Sequence, residues 1–185
     1  MSEWNAETAE WYAANYGDYP TNRLAVNELD LQHNVSIVDV GCGTGAALRY
    51  AALKVTAGNL TGIDPVPRMI EIARKLTEQH PAQNRIDFRV GSAEDLPLGN
   101  GLADYVFAFD SIDHWQDIGR GLGEIRRILK PDGSLILVKD KGVPGANEAL
   151  ARLGKDLDSA GFDVVEQREI HAEVRFSLWV CRMTQ

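Results

Sequence analysis

The stretch Val35-Ser36-Ile37-Val38-Asp39-Val40-Gly41-Cys42-Gly43-Thr44-Gly45 constrains this chain more than any other. A β-branched run ends in three alternating glycines and enters an Ala- and Leu-rich segment, predicted helical from about Thr44 to Val55. Glycines let a backbone approach a ligand closely, and the unpaired amides at a helix start favour polar or anionic atoms. In open sheets of this type, ligands sit at the carboxyl ends of the strands, where the strand order reverses.

The chain downstream keeps the strand-then-helix rhythm of a parallel sheet flanked by helices. A second strand is read at Asn59–Asp64. Pro65 and Pro67 then open a helix with Met69, Ile70, Ala73 and Leu76 at helical spacing. Ile86–Val90 and Tyr105–Phe109 are the third and fourth strands. A helix over about Asp117–Leu129 carries Leu122, Ile125, Ile128 and Leu129 on one face. Lys130-Pro131-Asp132-Gly133 reads as a turn before a fifth strand at Ser134–Val138, and Glu148–Ala160 as a helix stopped by Gly161. The last two strands, about Phe162–Ile170 and Val174–Arg182, are separated only by His171-Ala172-Glu173. That gap is too short for a parallel crossover, so they form an antiparallel hairpin. The expected fold is α/β, a mostly parallel sheet with one reversed strand near an edge.

Residues 1–185 read as a single domain, with 1–32 a helical cap. In the cap, Trp4 and Trp11 are seven apart and Tyr12 and Tyr16 four apart, so each pair shares a helix face. Such a helix is either packing on the core edge or a lid, and Trp11, Tyr12, Tyr16 and Tyr19 are the lid candidates.

A hydrophobic content of 44% is enough for a buried core, and a net charge of -8 argues against a nucleic-acid partner, which needs clustered Lys and Arg. The two cysteines, Cys42 and Cys181, are far apart and read as free thiols in a reducing compartment. Met1-Ser2-Glu3-Trp4-Asn5 is polar and acidic, unlike a secretory signal, and no apolar run approaches the ~20 residues of a membrane span. A cytoplasmic monomer or homodimer is expected.

By itself the glycine loop fits two cofactors. Gly41-Cys42-Gly43-Thr44-Gly45-Ala46 satisfies the dinucleotide fingerprint, and Asp64 lies about 20 residues on, where either an NAD or an S-adenosylmethionine ribose wants a carboxylate. Three observations favour the second. A dehydrogenase needs a further mononucleotide half or substrate domain, for which 185 residues leave little room. The terminal hairpin is foreign to the plain doubly wound pattern. Asp39, just before the loop, would repel a pyrophosphate but suits an ammonium.

Val38-Asp39-Val40-Gly41-Cys42-Gly43-Thr44-Gly45 resembles motif I of the class I S-adenosylmethionine-dependent methyltransferases. Gly62-Ile63-Asp64 with Met69, Gly91-Ser92-Ala93-Glu94-Asp95-Leu96-Pro97, and Leu129-Lys130-Pro131-Asp132-Gly133-Ser134-Leu135 are similar to the later motifs, in order over about residues 35–140. The nearest subgroup is the methyltransferase type 11 group, which includes the ubiquinone/menaquinone C-methyltransferases. The resemblance implies a three-layer Rossmann-like sandwich with seven strands in the order 3-2-1-4-5-7-6, S-adenosylmethionine as cofactor and S-adenosylhomocysteine as product. It further implies that Gly41, Gly43 and Gly45, with Cys42 among them, pass beneath the methionine portion. Asp64 would hold the ribose hydroxyls, and Pro65, Val66 and Met69 would lie near the adenine. Ser92, Ala93 and Glu94 would meet the adenine edge, and Asp110 and Ser111 would line the methyl-donating end.

The chemistry expected there is in-line displacement. Within Asp110-Ser111-Ile112-Asp113-His114-Trp115, Asp110 is a candidate to orient the substrate and His114 a candidate base, each against a bland structural role. Asp110, Asp140, Asp113-His114-Trp115 and Val143-Pro144-Gly145 also bear comparison with the metal-dependent catechol O-methyltransferases. Lys141, however, stands where those enzymes place an Asn ligand, and no metal is expected. The Asn/Asp-Pro-Pro-aromatic signature of nucleic-acid amino-methylating enzymes is missing near Asp110. A small-molecule methyltransferase is the leading reading, with a non-catalytic S-adenosylmethionine-binding sensor or partner subunit as the alternative.

Overall fold

The computed structural model describes residues 5–142 and 146–184. Trp4 and the Val143-Pro144-Gly145 segment lie outside the described residues. The strands are β1 Ile37–Val40, β2 Leu60–Asp64, β3 Ile86–Val90, β4 Ala103–Phe109, β5 Leu129–Asp140, β6 Phe162–His171 and β7 Arg175–Met183. They form one sheet in the order β3-β2-β1-β4-β5-β7-β6. The pairs β1–β2, β1–β4, β2–β3 and β4–β5 are parallel, while β7 runs antiparallel to both β5 and β6. This is the expected order with its one reversed strand.

The helices are α1 Ala6–Tyr16, α2 Pro20–Asn27, α3 Ala46–Ala51, α4 Pro67–Thr77, α5 Ile118–Ile128 and α6 Ala146–Ser159. Every residue of β1 is buried, because both faces of the central sheet are covered. On one face Ile37 and Phe107 pack with Val26, Leu48, Ile70 and Ala73 of the helices. On the other, Val38, Val40 and Val106 pack with Leu122, Ile125 and Ile128 of α5 and Leu157 of α6. The result is the three-layer sandwich. A third, small cluster of Ala9, Val66 and Met69, with Tyr12 against it, seats α1 on α4.

Local chemistry explains the helix ends. The Asp117 side chain accepts from the Arg120 amide at 2.9 Å and caps α5, whose last turn carries Arg126 and Arg127 against the helix dipole. Asn5 caps α1 in the same way through the Thr8 amide at 3.0 Å.

Three expectations need correction. The helix after the glycine loop is only Ala46–Ala51, because the loop itself takes Thr44 and Gly45 and the chain turns soon after. There the Lys54 ammonium donates to the carbonyls of Val26, Asn27 and Leu29, holding the end of α2. Leu76 is half exposed, since the buried face of α4 runs through Met69, Ile70, Ala73 and Thr77. Lys130-Pro131-Asp132-Gly133 is not a turn ahead of a strand but an outward bulge within β5: Leu129 pairs with Ala103 and Ser134 with Tyr105. Across the bulge, the Lys130 ammonium meets Asp104, which also accepts from the Ser36 amide at 2.7 Å.

Candidate functional site

The sheet reverses its order at β1, with β2 on one side and β4 on the other. The loops leaving these strands border a cleft, at the place where sheets of this type bind ligands. Its floor is the glycine loop. Gly41 has φ +75, and a Cβ there would lie 2.4 Å from Cβ of Ser111. Ser111 cannot retreat, because its hydroxyl donates to the Val40 carbonyl at 2.6 Å and ties the end of β4 to the end of β1. Gly45, at φ +76, would meet the Phe88 ring at 2.6 Å. Gly41→Ala is therefore expected to lower the unfolding free energy by roughly 2–5 kcal/mol, from backbone strain plus overpacking. Gly123→Ala, exposed in α5 with open space at its Cβ, should instead stabilise by about 0.5–1 kcal/mol. Urea titration of both variants checks the contrast.

Asp64 ends β2 facing this loop. One carboxylate oxygen accepts from the Gly43 amide at 3.1 Å and the other from the Val66 amide at 2.9 Å. Burial raises its pKa, and the two amides work against that rise. Each oxygen keeps a lone pair for a ligand hydroxyl. Asp39 is buried deeper, at 2% exposure. Burial, and then the charge of Asp64, push its carboxyl up to about 8. Pro65, Val66, Met69, Ser92 and Ala93 complete this side of the cleft.

Glu94 is no free loop carboxylate. It accepts from the Gln116 amide at 2.7 Å and the Asp117 amide at 3.1 Å, joining the loop after β3 to the start of α5. Burial is the largest single influence and opposes ionisation, but these amides, its own amide and the Ser92 hydroxyl together hold its pKa down.

At the other end Asp110 is the one non-glycine with positive φ, +51, among the described residues. Such strain persists where surrounding contacts enforce it. Here the Asp110 amide donates to the Val138 carbonyl at 3.0 Å, and its carboxylate accepts from the Asp140 amide at 2.7 Å. Burial pushes its carboxyl up to about 6, against the pull of the Asp140 amide and Lys139. His114 ends a short 3-10 turn, Ile112–His114, and stands exposed on the cleft rim. Lys139 pairs with Asp113, and Lys141 with Glu169 at 3.1 Å. Among the described residues, no group of three or more His, Cys, Asp or Glu is placed to hold a metal ion.

The cap closes over the glycine loop. The Thr44 hydroxyl donates to the Gly17 carbonyl at 2.5 Å, the Tyr50 hydroxyl to Asp18 at 2.9 Å, and Arg68 of α4 pairs with Glu10 of α1. The Tyr12 ring lies 3.7 Å from where a Gly43 Cβ would be. Its hydroxyl is pushed up to about 12, first by burial and then by Asp110, Asp64 and Asp39. Tyr16 and Tyr19 line a second, smaller chamber beside the first, with Asp39 and Cys42 in its wall. Burial, and then the Asp140 carboxylate, raise the pKa of the Tyr19 hydroxyl. Trp11, 58% exposed, stays outside both cavities and packs on Tyr16 with ring centroids 5.6 Å apart. Of the four lid candidates, three reach the site. Both cysteines are free and buried. The Cys42 sulfur fills the space left by Gly62, where a Cβ would be 2.8 Å away.

Several lining residues escaped the sequence reading. Phe109, Trp115 and Gln116 border the first cavity, and Thr21, Asn22 and Thr44 the second. Proximity to Asp110 was a signal for the first three, and Thr44 lies within the glycine motif. Thr21 and Asn22 carry none, because their place depends on how the cap docks.

Comparison with known proteins agrees with this architecture. A family profile described as a methyltransferase domain, of type 11, matches residues 38–137. An O-methyltransferase of Pyrenophora dematioidea is 32% identical over 81% of this chain and 62% of its own length. The ubiquinone/menaquinone biosynthesis C-methyltransferase of Citrifermentans bemidjiense is 31% identical over 63% of this chain and 50% of its own. The chain spans about a third to two thirds of the length of the first curated relatives it matches. In fold, it resembles the crystal structure of a SAM-dependent methyltransferase from Aquifex aeolicus, with a TM-score of 0.81 at 19% identity, covering 97% of this chain and 99% of that one. With the motifs in order, the reversed seventh strand in place and the profile spanning more than half of its residues, this chain belongs to the class I S-adenosylmethionine-dependent methyltransferases, type 11 group.

Proposed function

We propose that the protein transfers a methyl group to a small-molecule acceptor by in-line displacement, beneath a lid formed by its N-terminal cap. The observation that carries this reading is the position of Asp110, which lines both cavities where they meet under Tyr12. The residues present suit an adenosyl sulfonium. Gly41 and Gly43 present bare backbone to the cleft, Asp64 offers two carboxylate oxygens, and the surrounding carboxylates match a cation. When bound, S-adenosylmethionine supplies an electrophilic methyl on a positively charged sulfur.

The chain supplies positioning, which in well-oriented reactions accounts for about 7–11 kcal/mol of the barrier. Tyr12, Tyr16 and Tyr19 cover the site and limit water. Asp110, with its carboxyl pushed up to about 6, is basic enough near neutral pH to take a proton from an acceptor hydroxyl or amine as the new bond forms. His114 on the rim is the second candidate for that proton. The net charge of -8 and the acidic site favour a neutral or cationic small molecule over nucleic acid.

Incubation with methyl-labelled S-adenosylmethionine and fractionated metabolites tests this. Label should appear in a small molecule, and Asp110→Asn should slow transfer by roughly 10²–10⁴-fold. Tight cofactor binding without any transfer would instead favour a sensor or partner subunit.

A further inference from the structure

The two edge strands of the sheet are finished differently. On β3 the Phe88 amide donates to the Asp87 carboxylate at 2.9 Å, and the Phe88 carbonyl accepts from the Arg74 guanidinium at 2.5 Å. Side chains of the same chain thus occupy the middle of that edge. β6 is twice as long, ten residues against five. Beyond its ladder with β7, no backbone group of residues 163–170 has a hydrogen-bond partner among the described residues. Asp163, Val164, Val165, Glu166 and Gln167 are exposed in a row, the two valines at 39% and 53%. A long, open and partly apolar edge is a template for a further strand.

The charges along β6 select the strand that fits. A two-fold axis perpendicular to a sheet keeps each face continuous, so an antiparallel pair of identical strands must be centred on a residue. Centring on Glu166 or on Arg168 sets that residue against its own copy, and like charges directly opposite are destabilising. Centring on Gln167 instead sets Glu166 opposite Arg168 of the second copy, twice by symmetry. It also brings Val164 and Val165 beside Ile170 and the stem of Glu169. Arg168 is already ordered on this face by Glu28 and Glu166, each at 2.8 Å, and its five donors can serve one more carboxylate. We infer that β6 pairs antiparallel with β6 of a second copy about Gln167, joining two seven-stranded sheets into one. The cleft, at β1, β2 and β4, lies away from this edge. A seam of one strand pair is small beside a standard protein interface, so the dimer forms in the micromolar range.

Sedimentation equilibrium across the micromolar range tests the pairing. The wild type should pass from monomer to dimer. Arg168→Glu sets Glu166 against a second carboxylate at two places and should weaken the dimer roughly tenfold or more. The charge swap Glu166→Arg with Arg168→Glu restores opposite charges across the seam and should bring the dimer back to within about threefold of wild type. Because Arg168 also holds Glu28 of its own chain, a variant that spares that pair is needed. Val165→Lys puts a charge on the exposed edge, the device natural edges use against pairing; it should leave the melting temperature unchanged and weaken the dimer at least about tenfold. Val90→Lys, on the exposed end of β3, should leave the dimer as it is. A wild type that stays monomeric across the range overturns the inference. So does a dimer that survives both Val165→Lys and Arg168→Glu, or one that Val90→Lys dissociates in their place.

Discussion

Asp64→Ala is expected to weaken binding of both S-adenosylhomocysteine and methylthioadenosine by roughly two to four orders of magnitude, the value of two charge-assisted hydrogen bonds to a ribose. The equal loss for the two ligands is diagnostic, because both carry the ribose. The loss also has an indirect part. The Asp64 carboxylate organises the site before any ligand arrives, accepting from Gly43 in the glycine loop and from Val66 at the cap of α4. Removal leaves both amides short of their acceptor and loosens the loop. Asp64→Asn retains one acceptor oxygen and should fall between Ala and wild type. Calorimetry on the three proteins, with urea unfolding as a control for the scaffold, decides the matter. An affinity within threefold of wild type for Asp64→Ala would remove the ribose assignment.

The second large effect is in pH. With its carboxyl pushed up to about 8, Asp39 should be protonated at neutral pH in the ligand-free protein. Unfolded, it titrates near 3.9. The folded state thus binds the proton more tightly, so stability falls as pH rises from about 4 to 8 and is then level, a total on the order of 5 kcal/mol. An ammonium placed beside Asp39 favours the carboxylate. Ligand binding near pH 7 should therefore release close to one proton, and affinity for S-adenosylhomocysteine should rise by up to about tenfold per pH unit until about pH 8. Calorimetry in buffers of different ionisation enthalpy counts the proton directly. Asp39→Asn should abolish the proton release, flatten the affinity profile and raise stability above pH 8 in the ligand-free protein. A wild-type affinity independent of pH between 6 and 8 would show that Asp39 does not meet the ligand's ammonium.

These predictions involve residues of unequal legibility. Asp39 and Asp64 could be singled out because a strand end and a glycine turn fix where their side chains emerge. Asp110 could be placed at the end of a strand, but not its positive φ or its bond to the Asp140 amide, which depend on β4 and β5 lying side by side. Glu94 read as either a solvated carboxylate or an adenine contact; its ties to Gln116 and Asp117 come from a helix more than 20 residues on. The tyrosines were visible as a pattern, yet only docking of the cap separates Tyr12, facing the glycine loop, from Trp11, facing solvent.

What the sequence determined by itself is what local rules encode: alternating periodicity, a glycine turn between strand and helix, a hairpin too tightly joined to be parallel, and motifs in a fixed order. Those suffice for a mostly parallel sheet with one reversed strand and for the carboxylates at its strand ends, while the full strand order was what the family resemblance implied. Only the tertiary structure decided that Lys130-Pro131-Asp132-Gly133 bulges within β5, that Cys42 fills the space beside Gly62, and that Tyr12 rather than Trp11 lies over the glycine loop. The reason is physical. A side chain's surroundings there are set by elements distant in the chain, and packing, unlike periodicity, leaves no repeat in the sequence to read.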